Sequence, residues 1–211
     1  VGVGARDLWF LRGLRGTVRP VACESIRDVA MGEGDVGGFT LAWLTGDSET
    51  FRLVHVIAGG TVLGVATFRL PWGFIGSRYA RFVDFVRGPA AVKDYIMSLL
   101  RLQPAHHVGH NPAGGWAIVL LLGLGIVTGL AGWAIYNDIG GHWLEEVHEA
   151  LAATMLTVVI VHVAGVISGS LLHGENLVRA MVNGHKSGTP DAAIRSARPL
   201  AAALLLAWVA L

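Results

Sequence analysis

The chain has 211 residues, 53% of them hydrophobic and 15% charged, with a formal net charge of +1 and a mean hydropathy of +0.57. A soluble domain carries about a quarter charged residues, so this composition excludes an ordinary water-soluble enzyme and predicts an all-α integral membrane protein. The single cysteine, Cys23, excludes an internal disulfide framework, the lack of a CxxCH motif excludes the usual covalent c-type haem, and the near-neutral charge gives no reason to expect a nucleic-acid partner.

Residues 1–37 lack the compact charged, apolar and small-residue order of a cleaved signal peptide. They scatter Arg6, Arg12, Arg15, Arg19 and Arg27 among glycines. The stretch "IRDVAMGEGDVGG" places Asp28, Glu33 and Asp35 where a first span would run, and each acid costs roughly 2.5–3.5 kcal/mol at a helix centre. "GFTLAWL" (38–44) then reads like the last turns of a span whose beginning is absent. The first helix is therefore expected to be degenerate or incomplete. Either the reading frame or start is wrong upstream of Gly38, or the chain is a real variant; the first explanation is favoured.

A bilayer crossing needs about 20 apolar residues of helix. "FRLVHVIAGGTVLGVATFRL" (51–70) qualifies, with Arg52 and Arg69 placed to snorkel at its ends. "AAVKDYIMSLLRL" has the apolar spacing of a helix lying at the membrane interface. "GWAIVLLLGLGIVTGLAGWAI" (115–135) is the clearest span, with Trp116 and Trp133 as anchors at opposite ends. Val147 to Leu172 forms the next. The expected layout is a transmembrane bundle over 38–172, a cytoplasmic segment over 173–198, and an apolar tail over 199–211 that is a truncated fifth helix or an interfacial strip.

Basic residues set the orientation. The connection from Arg69 to Asn111 carries Arg78, Arg81, Arg87, Lys93 and Arg101, and the stretch after His173 adds Arg179, Lys186, Arg195 and Arg198. "TGDSET" and "YNDIGGHWLEE" carry acids and no Lys or Arg. The positive-inside rule puts the first two regions in the cytoplasm and the last two outside. Glycine pairs four apart (Gly60 with Gly64, Gly125 with Gly129, Gly165 with Gly169) read first as close helix packing.

Histidines supply the candidate chemistry. His148 and His162 stand fourteen positions apart on one predicted helix, a rise of about 21 Å that returns to within roughly 40° of the same face. His162 lies deep among Val159, Ile160, Val161 and Val163. An ionisable side chain there marks a ligand or proton relay, with a hydrogen bond between helices as the plain alternative. His55 lies near the outer end of its own span, at the depth of His148. Imidazoles at matched depth on facing helices can take both axial positions of one haem iron. His106, His107 and His110 sit in a turn-rich loop and are expected to be solvated or interfacial rather than metal-bound; no zincin or di-iron pattern is present.

Across Phe39 to Lys186, "LAWLTGDSETFRLVHVIAG", "FRLPWGFIGSRYARFVDFVRGP", "GHNPAGGW", "HEALAATMLTVVIVHVAG" and "HGENLVRAMVNGHK" follow in order. In these pieces the chain resembles bacterial cytochrome b561, in the group that includes the b-type cytochrome subunits of nickel–iron hydrogenases. The resemblance implies a four-helix transmembrane bundle with two non-covalent haems b, each held by two histidines. Carried over by position, His55 and His148 would hold the outer haem, and His162 the inner one opposite a first-helix histidine. The family carries a His-Trp pair upstream of the tryptophan matching Trp43, whereas residues 1–54 here contain no histidine. Met31 falls near the missing ligand, and a thioether can ligate haem iron. The inner site is thus left without its second histidine.

The resemblance implies an electron-carrier subunit of an oxidoreductase in the bacterial inner membrane, crossing it several times. It would pass electrons between a quinol pool and a redox partner such as a c-type cytochrome or a dehydrogenase or hydrogenase subunit. The competing reading is a non-redox membrane scaffold, or a haem-poor remnant, in which the histidines only pack. A solute or proton transporter would need paired intramembrane carboxylates and broken repeat helices, which the sequence lacks.

Overall fold

The computed structural model describes residues 20–22, 37–77, 79–102, 110–174, 176, 185–187 and positions 200, 203, 204 and 207. The acids at 28, 33 and 35, Met31, His106, His107 and most of the expected cytoplasmic segment and tail lie outside these residues. The described chain is helical at 37–45 (α1), with a single 3-10 turn at Glu49–Phe51. There follow α2 (Arg52–Ile75), α3 (Phe82–Phe85), α4 (Pro89–Leu100), α5 (Pro112–Tyr136) and α6 (His142–His173). A short antiparallel pair, β1 (Pro20–Ala22) with β2 (His185–Ser187), sets Val21 opposite Lys186. The sequence reading did not anticipate it.

Segments Glu49–Ile75, Pro112–Tyr136 and His142–Leu172 are long and apolar enough to cross a membrane. With α1 they make an all-helical, multi-pass membrane bundle in which one short helix joins three long ones. All four meet in one apolar layer. Phe39 of α1, Val62 of α2 and Met155 of α6 are buried together, and Leu121, Leu124, Leu156 and Val159 pack around them. Outward-facing Leu44, Phe74, Val161 and Leu171 remain exposed, as a chain solvated by lipid tails requires.

Helix bounds differ from the expected spans in two places. α2 continues through Pro71 to Ile75, past the expected end at Leu70. A proline removes one helical N–H and crowds the carbonyl four residues back; here buried packing holds the turn. Trp72 has no exposed surface and stacks on Phe68 at 5.9 Å, while the ring of Phe82 covers Gly73 so closely that no side chain fits there. α6 begins at His142 rather than Val147 because its first turn is polar and solvent-facing, with Glu145 beside His142 at 3.6 Å. Hydropathy does not register such a turn.

The connection between α2 and α5, expected to be a loop with one interfacial helix, is tightly built. Phe85 is 2% exposed and its carbonyl would lie 2.6 Å from a Cβ on Gly115, so α3 sits directly on the start of α5. Trp116 Nε1 donates to the Arg87 carbonyl at 2.7 Å, and Arg81 pairs with Asp84 at 2.8 Å. Proline at the first position and the Asn111 side chain, which accepts from Gly114 N–H at 2.7 Å, start α5. In α4, which packs on α5, Tyr95 is buried, and burial pushes its phenol above the ordinary value so that it stays neutral. His110 is half-buried and packs on Phe85 with ring centroids 5.2 Å apart, so it is not fully solvated.

Close helix packing holds for one of the glycine pairs. A Cβ on Gly129 would meet Leu63 at 2.8 Å and one on Gly125 would touch Val62 at 3.5 Å, so α2 and α5 approach through these positions. Gly60 and Gly165 face open space among the described residues.

Candidate functional site

His55 lies in the first turn of α2, across from the end of α1. The last four carbonyls of a helix have no intrahelical donor, and α1 ends at residue 45. Thr45 Oγ1 donates to Leu41 O at 2.7 Å and to Ala42 O at 3.3 Å. The Ala42 carbonyl also lies 2.9 Å from His55 Nδ1. A carbonyl can only accept, so Nδ1 carries the proton and Nε2 presents its lone pair.

His148, in the second turn of α6, is held the same way by a different route. Its Nδ1 donates to the Thr128 carbonyl of α5 at 3.0 Å. That carbonyl sits in mid-helix, where a side chain four residues on would normally screen it. The residue there is Gly132, and a Cβ on it would come within 3.0 Å of His148 Cε1. The missing side chain is what lets the imidazole reach the carbonyl.

The two rings come together: their centroids are 6.1 Å apart and their planes cross at 72°. Nitrogens bound about 2 Å from a shared metal give roughly this centroid spacing for two axial imidazoles. Nδ1–H bonds to carbonyls are the partners that fix metal-ligating imidazoles and raise their basicity. Thr128 Oγ1 is buried with no hydrogen-bond partner among the described residues, a polar atom beside the pair that a bound group could answer. No cluster of three or more metal-ligating side chains occurs among the described residues. Two neighbouring imidazoles without further protein ligands among the described residues suit a metal that brings other ligands with it, as a porphyrin iron does.

His162 stands apart from this pair. It is half-buried on α6, fourteen positions from His148, and makes no hydrogen bond among the described residues. His142 sits at the exposed start of α6. Ala42, Thr128 and Gly132 were not singled out from the sequence. Every residue offers a carbonyl, so only the spacing of Gly132 four residues after Thr128 was visible, and it says nothing of a ring docking there.

The family model described as prokaryotic cytochrome b561 matches residues 29–184. A probable Ni/Fe-hydrogenase B-type cytochrome subunit of Rhodobacter capsulatus is 25% identical over 168 residues, covering 66% of this chain and 64% of that protein. The corresponding protein of Rhizobium leguminosarum bv. viciae is 22% identical, covering 64% of this chain and 68% of its own length. A probable Ni/Fe-hydrogenase 1 B-type cytochrome subunit of Escherichia coli K12 is 23% identical, with 64% and 70% covered. The chain thus spans just under two thirds of the Rhodobacter relative, at 64%. No solved structure matches.

Proposed function

This chain belongs to the prokaryotic cytochrome b561 family, and on that premise we propose that it carries electrons across a membrane through haem b held between His55 and His148. The observation that supports this most is the 6.1 Å spacing of two imidazoles whose Nδ1 atoms are both tied to backbone carbonyls. When bound, haem b supplies a centre that accepts and gives up one electron. The protein's part is to present both Nε2 atoms, to exclude other ligands from the metal, and to set its potential through ligand basicity and burial. His55 and His148 together would hold the group from both sides, which would leave no place on its metal for a substrate.

Quinol is the proposed partner on one side and a redox protein on the other. The relatives are named as hydrogenase cytochrome subunits, which favours a hydrogenase or dehydrogenase subunit as that protein. The chain is then an electron-carrier subunit rather than a stand-alone catalyst. The proposed setting is the bacterial inner membrane, with the connection over 71–112 and the segment after His173 on the cytoplasmic side. The clustering of Lys and Arg in those two regions supports that orientation.

The test is a reduced-minus-oxidised optical spectrum of the purified chain supplied with haemin. Sharp low-spin b-type bands are expected, and His55→Ala or His148→Ala should each abolish them while the protein still inserts in membranes. A wild-type spectrum without such bands would leave the scaffold reading in place.

A further inference from the structure

α4 is tied to one end of the spans. Trp116, in the second turn of α5, is exposed and donates through Nε1 to the carbonyl of Arg87, two residues before α4 begins. An indole at the end of a span seeks the boundary between lipid tails and water, so this bond holds the start of α4 at that level. α4 packs on α5, with Tyr95 buried and Val92 and Leu99, on the same side of the helix, half-buried.

The opposite side of α4 is open, and its pattern is not that of a helix bathed only by water. Ile96, Met97 and Leu100 are exposed there, Leu100 by 71%. Residues three and four apart are neighbours on a helix. Lys93, Met97 and Arg101 therefore form one row, with Ile96 and Leu100 lying beside it. Eight residues separate the two cations, about 12 Å along the axis. Their long apolar stems let both lean over Met97 while the charged heads stay in a polar layer. Nearby Arg81 is paired with Asp84 at 2.8 Å, and Arg87 Nη2 donates to the Asp84 carbonyl at 3.0 Å. Lys93 and Arg101 are exposed and make no ion pair among the described residues. Asp94, the only acid of α4, borders the row on the flank away from Ile96.

We propose that this face of α4 holds an anionic phospholipid: its phosphate lies over Met97 between Lys93 and Arg101, and its acyl chains run along Ile96 and Leu100. A zwitterionic lipid brings its phosphate together with a cation that Lys93 and Arg101 repel, so the face selects by net charge. Each basic residue held near anionic lipid adds about 5-fold in affinity, and the pair about 30-fold. The inference needs α4 to lie at a membrane surface; it does not depend on which surface that is, or on haem.

Native mass spectrometry of the full chain in neutral detergent tests it, by titration with phosphatidylglycerol or phosphatidylcholine of the same acyl chains. Wild type should bind one phosphatidylglycerol roughly 30-fold more tightly than phosphatidylcholine. Lys93→Gln and Arg101→Gln should each cost about 5-fold, and the double variant should bring the two lipids level. Asp94→Asn removes a repelling charge and should tighten phosphatidylglycerol binding. Leu100→Gln should weaken both lipids, since it strips the surface under the acyl chains. All four side chains are exposed, so circular dichroism should show wild-type helix content in every variant. Glycerol phosphate at matched ionic strength should leave the lipid bound; displacement by it would assign the cations to a free phosphate and overturn the inference. A wild type without preference for phosphatidylglycerol, or a preference that survives in the double variant, would overturn it as well.

Discussion

Replacing Gly132 by alanine perturbs the histidine pair without touching a ligand. The new Cβ would lie 3.0 Å from His148 Cε1 and 3.4 Å from its Nδ1. Carbon atoms in contact settle farther apart, about 3.5–4.0 Å, so the ring must give by a few tenths of an ångström. Its bond to Thr128 is already 3.0 Å, and that retreat stretches and weakens it. Losing such an outer partner lowers metal-site affinity by about 10–100-fold, or about 1.4–2.7 kcal/mol. The helix itself gains, because alanine is about 1 kcal/mol better than glycine in a helix interior. That gain offsets much of the steric cost, about 1–3 kcal/mol. Haem affinity should therefore fall while the fold persists. Haemin titration followed by the low-spin absorption bands measures this, with Gly123→Ala as the control, since nothing lies within 4 Å of a Cβ there. Equal haemin affinity in Gly132→Ala and wild type would refute the role given to the Thr128 carbonyl.

Gly115→Ala should destabilise the end of the bundle where α3 meets α5 by about 1–3 kcal/mol, because its Cβ meets a backbone oxygen, Phe85 O at 2.6 Å, which no rotamer change can move. Thermal unfolding in detergent, read by circular dichroism, would show it as a lowered Tm, and an unchanged Tm would contradict the packing. For orientation, Cys23→Ser removes the native thiol, and Asp94→Cys and Asp138→Cys then place single reporters on exposed residues at opposite ends. An impermeant thiol reagent added outside should label Asp138→Cys alone. Ser77, at 1% exposure, is too buried to serve as the cytoplasmic reporter.

The three long spans were legible because lipid demands a continuous apolar run, a demand that composition alone reveals. Their ends were less so. α2 outruns Leu70 since Trp72 and Phe82 stabilise a turn that Pro71 argues against, and that stabilisation is tertiary. Counting residues placed His55 and His148 at one depth; the 6.1 Å approach depends on how α2, α5 and α6 pack. Gly125 and Gly129 looked no different in sequence from Gly60 and Gly165, yet only the first two meet Leu63 and Val62. What sequence could not supply was identity without a side chain: the Ala42 and Thr128 carbonyls act through backbone atoms that every residue shares.

The outer pair also fixes an order of events. Both imidazoles have their Nδ1 protons bonded to Ala42 O and Thr128 O, so the protein's own backbone sets their tautomer and helps to fix their orientation. Binding there need not pay to order two side chains, and that saving appears directly as affinity. Val62 and Met155 lie seven positions inward from His55 and His148. Together with Phe39 they close an apolar layer about 10 Å below the pair. The outer site is thus complete once α1, α2, α5 and α6 have packed, whereas His162 has no partner in the described fold to hold its ring. Haemin titrated into the apoprotein should fill the outer site first, with low-spin bands saturating before any further haem binds, and simultaneous filling would show that the carbonyl bonds confer no head start.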